Sequence, residues 1–222
     1  MGVREISVGG GKKIVIEEME EVCEAGTGRV LTGSWVWESS LILSQWITTQ
    51  RDFDLRGKTV LELGAGAGLP GLVAATLGAT RVVLTDIDPL IPALSRNVVA
   101  NNLGNVVEVR ELVWGSNDSF GDFDLVLMSD VFFDPEAMGA LARTLKTVCG
   151  DHTTVWAATE VRPWTGECLN VLTSLGFGVL ELSGSLGLLD SHPEPSELFA
   201  VFCVVALDEA GHVPPAFYSV CG

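Results

Sequence analysis

The stretch Leu61-Glu62-Leu63-Gly64-Ala65-Gly66-Ala67-Gly68 decides the fold of this chain. It ends an apolar run that begins at Thr59, and such a run predicts a strand buried on both faces of a parallel sheet. Glycines directly after a strand let the backbone turn tightly and approach a bound molecule closely. The stretch therefore predicts a nucleotide-binding turn at the end of the first sheet strand.

A second apolar run, residues 81–85, ends at Asp86, eighteen residues beyond Gly68. An acid at the end of the second strand is placed to accept hydrogen bonds from the two hydroxyls of a ribose. The glycine turn and this acid together predict an adenosine-containing ligand.

The choice of ligand depends on Glu62. The glycines also fit the looser dinucleotide pattern Gly66-x-Gly68-x-x-Gly71, but Glu62 would set a like charge against a pyrophosphate in a poorly solvated crevice. S-adenosylmethionine has no phosphate and carries an amino group and a sulfonium, so the same acid attracts it. The alternative, a Gly/Ala-rich packing turn without a ligand, leaves Glu62 and Asp86 without a role.

The bulk composition of the 222 residues excludes several classes of protein. Thirteen basic and 29 acidic residues give a net charge of −16, which repels a nucleic-acid backbone. No stretch is long and apolar enough for a membrane span, and the histidines and cysteines show no metal-ligand spacing. We expect no metal, no nucleic-acid or membrane partner, and a cytoplasmic location with the nucleus as the alternative. The oligomeric state is left open, with a monomer as the simplest case.

The order of elements predicts an α/β fold. Residues 3–8 and 14–18 predict a hairpin within an N-terminal extension, 1–33, and apolar spacing from Glu38 predicts a helix. Strands are predicted near 59–63, 81–85, 106–112, 123–129, 153–159, 176–182 and 198–207, with helices near 69–77, 89–101, 135–148 and 164–175.

This alternation predicts a Rossmann-like seven-stranded sheet, mostly parallel, with helices on both faces. Only a loop, 184–197, joins the last two strands, so they are expected to form an antiparallel hairpin. Since no linker is visible, one domain over residues 1–222 is predicted.

Finer motifs give the pattern a family likeness. They are Val36-Trp37-Glu38, the stretch 61–71, Asn97 to Asn102, Glu111-Leu112-Val113-Trp114-Gly115 and Asp130-Val131-Phe132-Phe133. The whole resembles the seven-β-strand methyltransferases, and these motifs resemble methyltransferase family 16, which is rich in protein lysine methyltransferases. The resemblance runs from about Gly33 to Cys149 and more faintly from the hairpin to Val205.

The resemblance implies S-adenosylmethionine as cofactor and a set of residues around it. Trp37 and Trp114 are expected near the adenosine, where an aromatic face orients the base, although core packing is the alternative for each. The backbone of Ser129 is expected beside the methionine part. The cofactor-binding residues predicted are Trp37, Glu62, Gly64, Ala65, Gly66, Gly68, Asp86, Trp114 and Ser129.

The predicted catalytic residues are Asp130 and Phe133. Methyl transfer requires an unprotonated amine in line with the methyl carbon, whereas a lysine amine is charged at neutral pH. By resemblance, Asp130 holds the incoming ammonium and the Phe133 ring lines the lysine channel. Phe133 lacks the hydroxyl of the tyrosine found in other members. The alternative for Asp130 is a helix cap, but Asp134, directly before Pro135, is better placed for that.

The leading hypothesis is an S-adenosylmethionine-dependent methyltransferase that modifies a lysine of a protein substrate. The alternatives are a small-molecule methyltransferase of the same fold and a cofactor-binding module without catalysis, against which the presence of Asp130 argues. An NAD-linked oxidoreductase is disfavoured by Glu62. Glu160 and Arg162, after the fifth sheet strand, are candidates to touch a substrate peptide, with mere solvation as the alternative.

Overall fold

The computed structural model describes the chain except for residues 1, 20–21, 24–25, 27, 29, 119, 183–197, 209–210 and 214–222. The chain divides into two compact units, Met1–Val113 and Trp114–Gly222. The single domain expected from the sequence stays a prediction. Across the described residues, we find no helix with the length and apolar character needed to cross a membrane.

The first unit begins with hairpins and continues with alternating strands and helices. Its elements are β1 (Gly2–Val8), β2 (Lys12–Glu18), β3 (Val22–Cys23), β4 (Val30–Leu31), α1 (Glu38–Thr49), β5 (Thr59–Leu63), α2 (Leu69–Thr76), β6 (Arg81–Asp86), α3 (Ile91–Ala100) and β7 (Val107–Glu111). The predicted N-terminal hairpin is present, because β1 pairs antiparallel with β2. Strands β5, β6 and β7 pair in parallel in that order.

Helix α3 starts two residues later than predicted, and prolines explain the shift. Residues Asp88–Leu90 form a 3-10 turn, in which the Ile91 N–H donates to the Asp88 carbonyl. An α-helix starting at Asp88 would need the N–H of Pro92 for that carbonyl, and proline has none. The helix therefore begins at Ile91, with Pro92 in its first turn.

Two asparagines of α3 attach the N-terminal hairpin. The side-chain oxygen of Asn97 accepts from the Glu17 N–H at 2.8 Å, and its side-chain NH2 donates to the backbone carbonyl of Ala67 at 3.0 Å. One turn later, the Asn101 side chain bonds both the N–H and the carbonyl of Val15, at 2.8 and 2.7 Å. Because residues one turn apart lie on one helix face, the two amides satisfy successive backbone groups of β2 and connect it to the glycine turn.

The second unit contains the strands of the terminal hairpin. Its elements are β8 (Leu125–Ser129), α4 (Met138–Val148), β9 (Thr154–Glu160), α5 (Thr165–Ser174), β10 (Phe177–Glu181) and β11 (Phe199–Ala206). Strands β8 and β9 are parallel, while β11 pairs antiparallel with both β9 and β10. The connection predicted over 184–197 lies outside the described residues.

Helix α4 also starts later than predicted, after a 3-10 turn at Pro135–Ala137. The Asp134 carboxylate accepts from the Glu136 N–H at 2.9 Å, which is the capping role predicted for Asp134. The seven-stranded sheet is the predicted one, mostly parallel and ending in an antiparallel hairpin. The predicted fold class is thus confirmed.

Candidate active site

The turn after β5 requires its glycines. Gly64, Gly66 and Gly68 have φ values of 63°, 55° and 81°, a left-handed conformation that side chains with a Cβ rarely adopt. A Cβ on Gly66 would also collide with the carbonyl oxygen of Gly33. The segment that leads to Trp37 therefore lies directly against the turn.

Asp86 lies beneath this turn, at the end of β6. Its Oδ2 accepts from the Gly66 N–H at 2.7 Å, and its Oδ1 accepts from the Ile87 N–H at 2.8 Å. Burial raises the pKa of this carboxyl, and the two N–H bonds lower it in part. Because Asp86 is only half-buried, its carboxylate can still accept hydrogen bonds from outside the protein.

Glu62 takes a different position from the one that its sequence argument assumes. Its side chain is 0% exposed, and Oε2 accepts from the Gly71 N–H at 2.8 Å. Within the described part of the chain, no donor faces Oε1. Burial raises the pKa of Glu62 to about 8, the N–H bond from Gly71 opposes the rise, and the Asp86 charge adds to it. The predicted attraction for a cation therefore belongs to the ionised form, which prevails above about pH 8.

The two acids decide which ligand the glycine turn suits. In a dinucleotide site, backbone N–H groups of the turn and of the following helix face the pyrophosphate. Here the Gly66 N–H is donated to Asp86 and the Gly71 N–H to Glu62. A phosphate would have to displace both carboxyl groups and then lie beside them. The turn suits an adenosine ligand without phosphates.

Trp37, in the same unit, is not a core residue. The residue is 39% exposed, and its indole N–H donates to the Thr32 carbonyl at 3.1 Å. That bond anchors the ring to the segment that contacts Gly66 through Gly33. The first unit thus brings together the glycine turn, Asp86, the buried Glu62 and the segment that carries Trp37.

Four of the predicted residues, Trp114, Ser129, Asp130 and Phe133, lie in the second unit. Asp130 directly follows β8 and has a φ of 56°, a strained backbone conformation for a residue with a side chain, and its N–H donates to the Ala158 carbonyl at 2.8 Å. Ser129 is half-buried and pairs with Ala158 in β9. Phe133 is 52% exposed, and its ring centroid lies 6.3 Å from that of Trp114. Asp130 and the exposed Phe133 ring therefore lie between β8 and α4, and the Trp114 ring, which precedes β8 in the chain, lies beside Phe133.

The Asp130 carboxylate already has a cationic partner. Arg162 holds it with two bonds, Nη1 to Oδ1 at 2.6 Å and Nη2 to Oδ2 at 3.0 Å. The same Nη2 donates to Glu160 Oε2 at 2.7 Å, and the Thr159 hydroxyl lies 3.3 Å from Asp130 Oδ1. We call Asp130, Glu160 and Arg162 the acid–arginine cluster.

The sequence predicts no bond within this cluster. Asp130 and Arg162 are 32 residues apart, and only the pairing of β8 with β9 brings them together. The available signal was the Glu160-x-Arg162 spacing at the end of the strand beside that of Asp130. Carboxyl ends of adjacent parallel strands lie at one sheet edge, so charged residues at both ends can meet there.

Comparison with known proteins identifies relatives. The chain matches the family described as "Lysine methyltransferase" over residues 17–168. The protein N-lysine methyltransferase METTL21A of Danio rerio is 38% identical over 133 residues, which are 57% of this chain and 60% of that protein. The histone-arginine methyltransferase METTL23 of Mus musculus is 36% identical over 178 residues, 75% of this chain and 67% of that protein. The chain thus spans about three fifths of the first relative and two thirds of the second.

A solved structure, a SAM-dependent methyltransferase from Aquifex aeolicus, has the same fold. Its TM-score is 0.56 at 17% identity, and the match covers 76% of this chain and 93% of that one. The cofactor that the family and the fold imply is S-adenosylmethionine. Because the family match extends over more than half of the chain, this protein belongs to the lysine methyltransferase family, the family 16 methyltransferases that its motifs resemble.

Proposed function

We propose that this protein transfers a methyl group from S-adenosylmethionine to a lysine side chain of a protein substrate. The proposal rests on one observation: the N–H groups of the glycine turn already donate hydrogen bonds to carboxyl groups of the protein. Because Gly66 and Gly71 donate to Asp86 and Glu62, the turn is closed to a pyrophosphate and open to a phosphate-free adenosine. Membership of the lysine methyltransferase family supports the choice of reaction.

The residues of the first unit fit this cofactor. Asp86 offers a half-buried carboxylate to the ribose hydroxyls, and Trp37 offers a partly exposed ring to the adenine. We assign the cofactor contacts to Trp37, Gly64, Ala65, Gly66, Gly68, Asp86, Trp114 and Ser129. The buried Glu62 supports the turn from behind through its bond with the Gly71 N–H. When bound, S-adenosylmethionine supplies a methyl group on a positively charged sulfur, so the acceptor's lone pair forms the new bond while sulfur keeps the electrons of the old one.

The second unit supplies the features that an amine acceptor needs. Removing the proton from a free lysine at pH 7.4 costs about 4 kcal/mol, since each unit between pH and pKa is worth about 1.4 kcal/mol. An apolar wall disfavours the charged form, and the exposed Phe133 ring beside Trp114 provides one. In this proposal Phe133 lines the channel, and Asp130 accepts a hydrogen bond from the nitrogen and sets its direction.

Arginine is the second candidate acceptor. The match to mouse METTL23, named a histone-arginine methyltransferase, covers more of this chain than the match to zebrafish METTL21A. A guanidinium, like an amine, needs carboxylates to orient its nitrogen. Lysine is preferred because the matching family is the lysine methyltransferase family.

One labelling experiment separates these functions. The protein is incubated with methyl-tritiated S-adenosylmethionine and cell lysate, and the labelled proteins are hydrolysed to amino acids. Label in methyllysine supports the proposal, and label in methylarginine favours the second candidate. Label confined to acid-soluble metabolites indicates a small-molecule methyltransferase. No label despite calorimetric binding of the cofactor indicates a binding module. The Asp86→Ala variant is the control for cofactor-dependent labelling.

The cellular setting remains part of the proposal. A location in the cytoplasm or nucleus agrees with the scattered cysteines, and the net charge of −16 favours a basic protein substrate over a nucleic acid. Fractionation of cells that express the tagged protein tests the location.

A further inference from the structure

We propose that Arg162 is a positioning residue that sets the protonation state of the acceptor nitrogen through its ion pair with Asp130. This inference rests on the proposed lysine methylation. It assigns Arg162 a role different from direct substrate contact. Glu160, in the same cluster, has the opposite effect on the protonation of the acceptor.

The acid–arginine cluster is built on fixed elements. Asp130 is held by its N–H bond to Ala158, and the Arg162 N–H donates to the hydroxyl of buried Thr165 at 2.9 Å, at the start of α5. The side chains of Asp130 and Arg162 are only 16% and 17% exposed. A two-bond pair between a planar guanidinium and a carboxylate fixes the carboxylate plane. Asp130 therefore has a defined orientation before any acceptor arrives.

The charges of the cluster cancel in part. Two carboxylates and one guanidinium, which stays protonated, give a net charge of −1. The hydrogen bonds and charges of Asp130 and Glu160 raise the pKa of Arg162. Burial raises the pKa of Cys168, and the nearby acids Asp134 and Glu167 add to that rise instead. The Glu160 side chain is 43% exposed, so it is the member most open to solvent.

The partial cancellation of charge affects the protonation of a lysine bound beside Asp130. A carboxylate without a partner stabilises an ammonium and holds it in the form that cannot accept a methyl group. The Arg162 charge offsets that stabilisation, while Asp130 keeps its direction for hydrogen bonding. Loss of Arg162 should therefore tighten ammonium binding and slow transfer, whereas loss of Glu160 should ease loss of the proton.

The test is the pH dependence of kcat, measured with the protein substrate that the wild type labels, after its purification. We expect Arg162→Gln to lower kcat at pH 7.5 at least about tenfold with KM unchanged or lower. The pH at half-maximal kcat should rise by about one unit. Arg162→Lys keeps the charge and should restore the wild-type midpoint, with kcat reduced by the loss of the two-bond geometry.

Glu160→Gln is a second, independent test, at a side chain that is more exposed than Arg162. It should move the pH midpoint down, opposite to Arg162→Gln. The matched control is Arg56→Gln, because Arg56 forms a similar pair with Asp54 in the first unit, with contacts of 2.7 to 3.0 Å. That variant should match the wild type in both kcat and KM.

Two results would overturn the inference while the proposed function stands. One is an unshifted pH midpoint in both Arg162→Gln and Glu160→Gln. The other is a raised KM with unchanged kcat in Arg162→Gln, which would make Arg162 a substrate contact. If circular dichroism shows that Arg162→Gln is unfolded, the pH midpoint of Glu160→Gln decides whether the inference stands. A wild type that labels no lysine refutes the proposed function, and the inference falls with it.

Discussion

Replacing Glu62 with glutamine should change how the stability of the protein depends on pH. The Glu62 carboxyl is fully buried, and its pKa rises from 4.5 to about 8 on folding. Between these values the folded protein binds a proton that the unfolded chain releases. The stabilisation from the neutral carboxyl is therefore complete below pH 4.5 and is lost as the pH rises to 8.

The size of the effect follows from the shift. Each pH unit inside the window is worth about 1.4 kcal/mol, so the wild type should lose roughly 3 to 4 kcal/mol between pH 5 and pH 8 from this group. Glutamine does not titrate, yet its carbonyl can still accept from the Gly71 N–H. Its amide takes the place of Oε1, which has no partner among the described residues, at a cost that is the same at every pH.

The assay is urea unfolding of the ligand-free protein at pH 5, 6, 7 and 8. The difference in unfolding free energy between Glu62→Gln and the wild type should grow in favour of the variant along this series. Glu38→Gln, a change at an exposed acid on α1, is the control and should run parallel to the wild type. Parallel profiles for Glu62→Gln and the wild type, within about 1 kcal/mol, would refute the buried, neutral carboxyl.

Three further predictions concern the ligands. Asp86→Ala should weaken binding of S-adenosylmethionine and its demethylated product by about 1–3 kcal/mol in calorimetry, since a charge-assisted hydrogen bond is lost; tight NAD binding by the wild type would contradict the assignment. Cofactor binding should quench tryptophan fluorescence, and replacing both Trp37 and Trp114 with leucine should largely remove the quenching; persistent quenching would return both rings to a packing role. Asp130→Asn should lower turnover at least about tenfold while cofactor affinity stays within a few-fold, and wild-type turnover in this variant would show that the carboxylate charge does not act on the amine.

The strands and the glycine turn were predictable because their signals are local. Strand β5 has the predicted bounds, 59–63, since a short apolar run that ends at a glycine turn is typical of a buried strand in a parallel sheet. The position of Asp86 under the turn follows from the parallel pairing of two adjacent strands, whose ends must meet at one edge. The helix starts were less predictable, because a proline can belong either to a 3-10 turn or to the first helical turn.

The charge states of the acids could not be predicted from the sequence. Glu62 lies two residues before Gly64, where the sequence predicts an ionised carboxylate, but its protonation depends on complete burial by surrounding elements. The partner of Asp130 was likewise hidden, since it depends on which strands are neighbours. Both features come from tertiary contacts, which spacing alone does not specify.

The acidic character of the whole chain and the charge at the proposed acceptor position act at different stages. A net charge of −16 attracts a basic partner over long distances, which speeds encounter. The same negative charge, if concentrated at the acceptor, would hold a lysine protonated and so prevent its methylation. In the proposed mechanism, pairing Asp130 with Arg162 separates the two effects, because it lowers the charge of the cluster from −2 to −1 while the chain keeps its net charge of −16. An acidic methyltransferase can in this way bind a cationic substrate and still react with its neutral form.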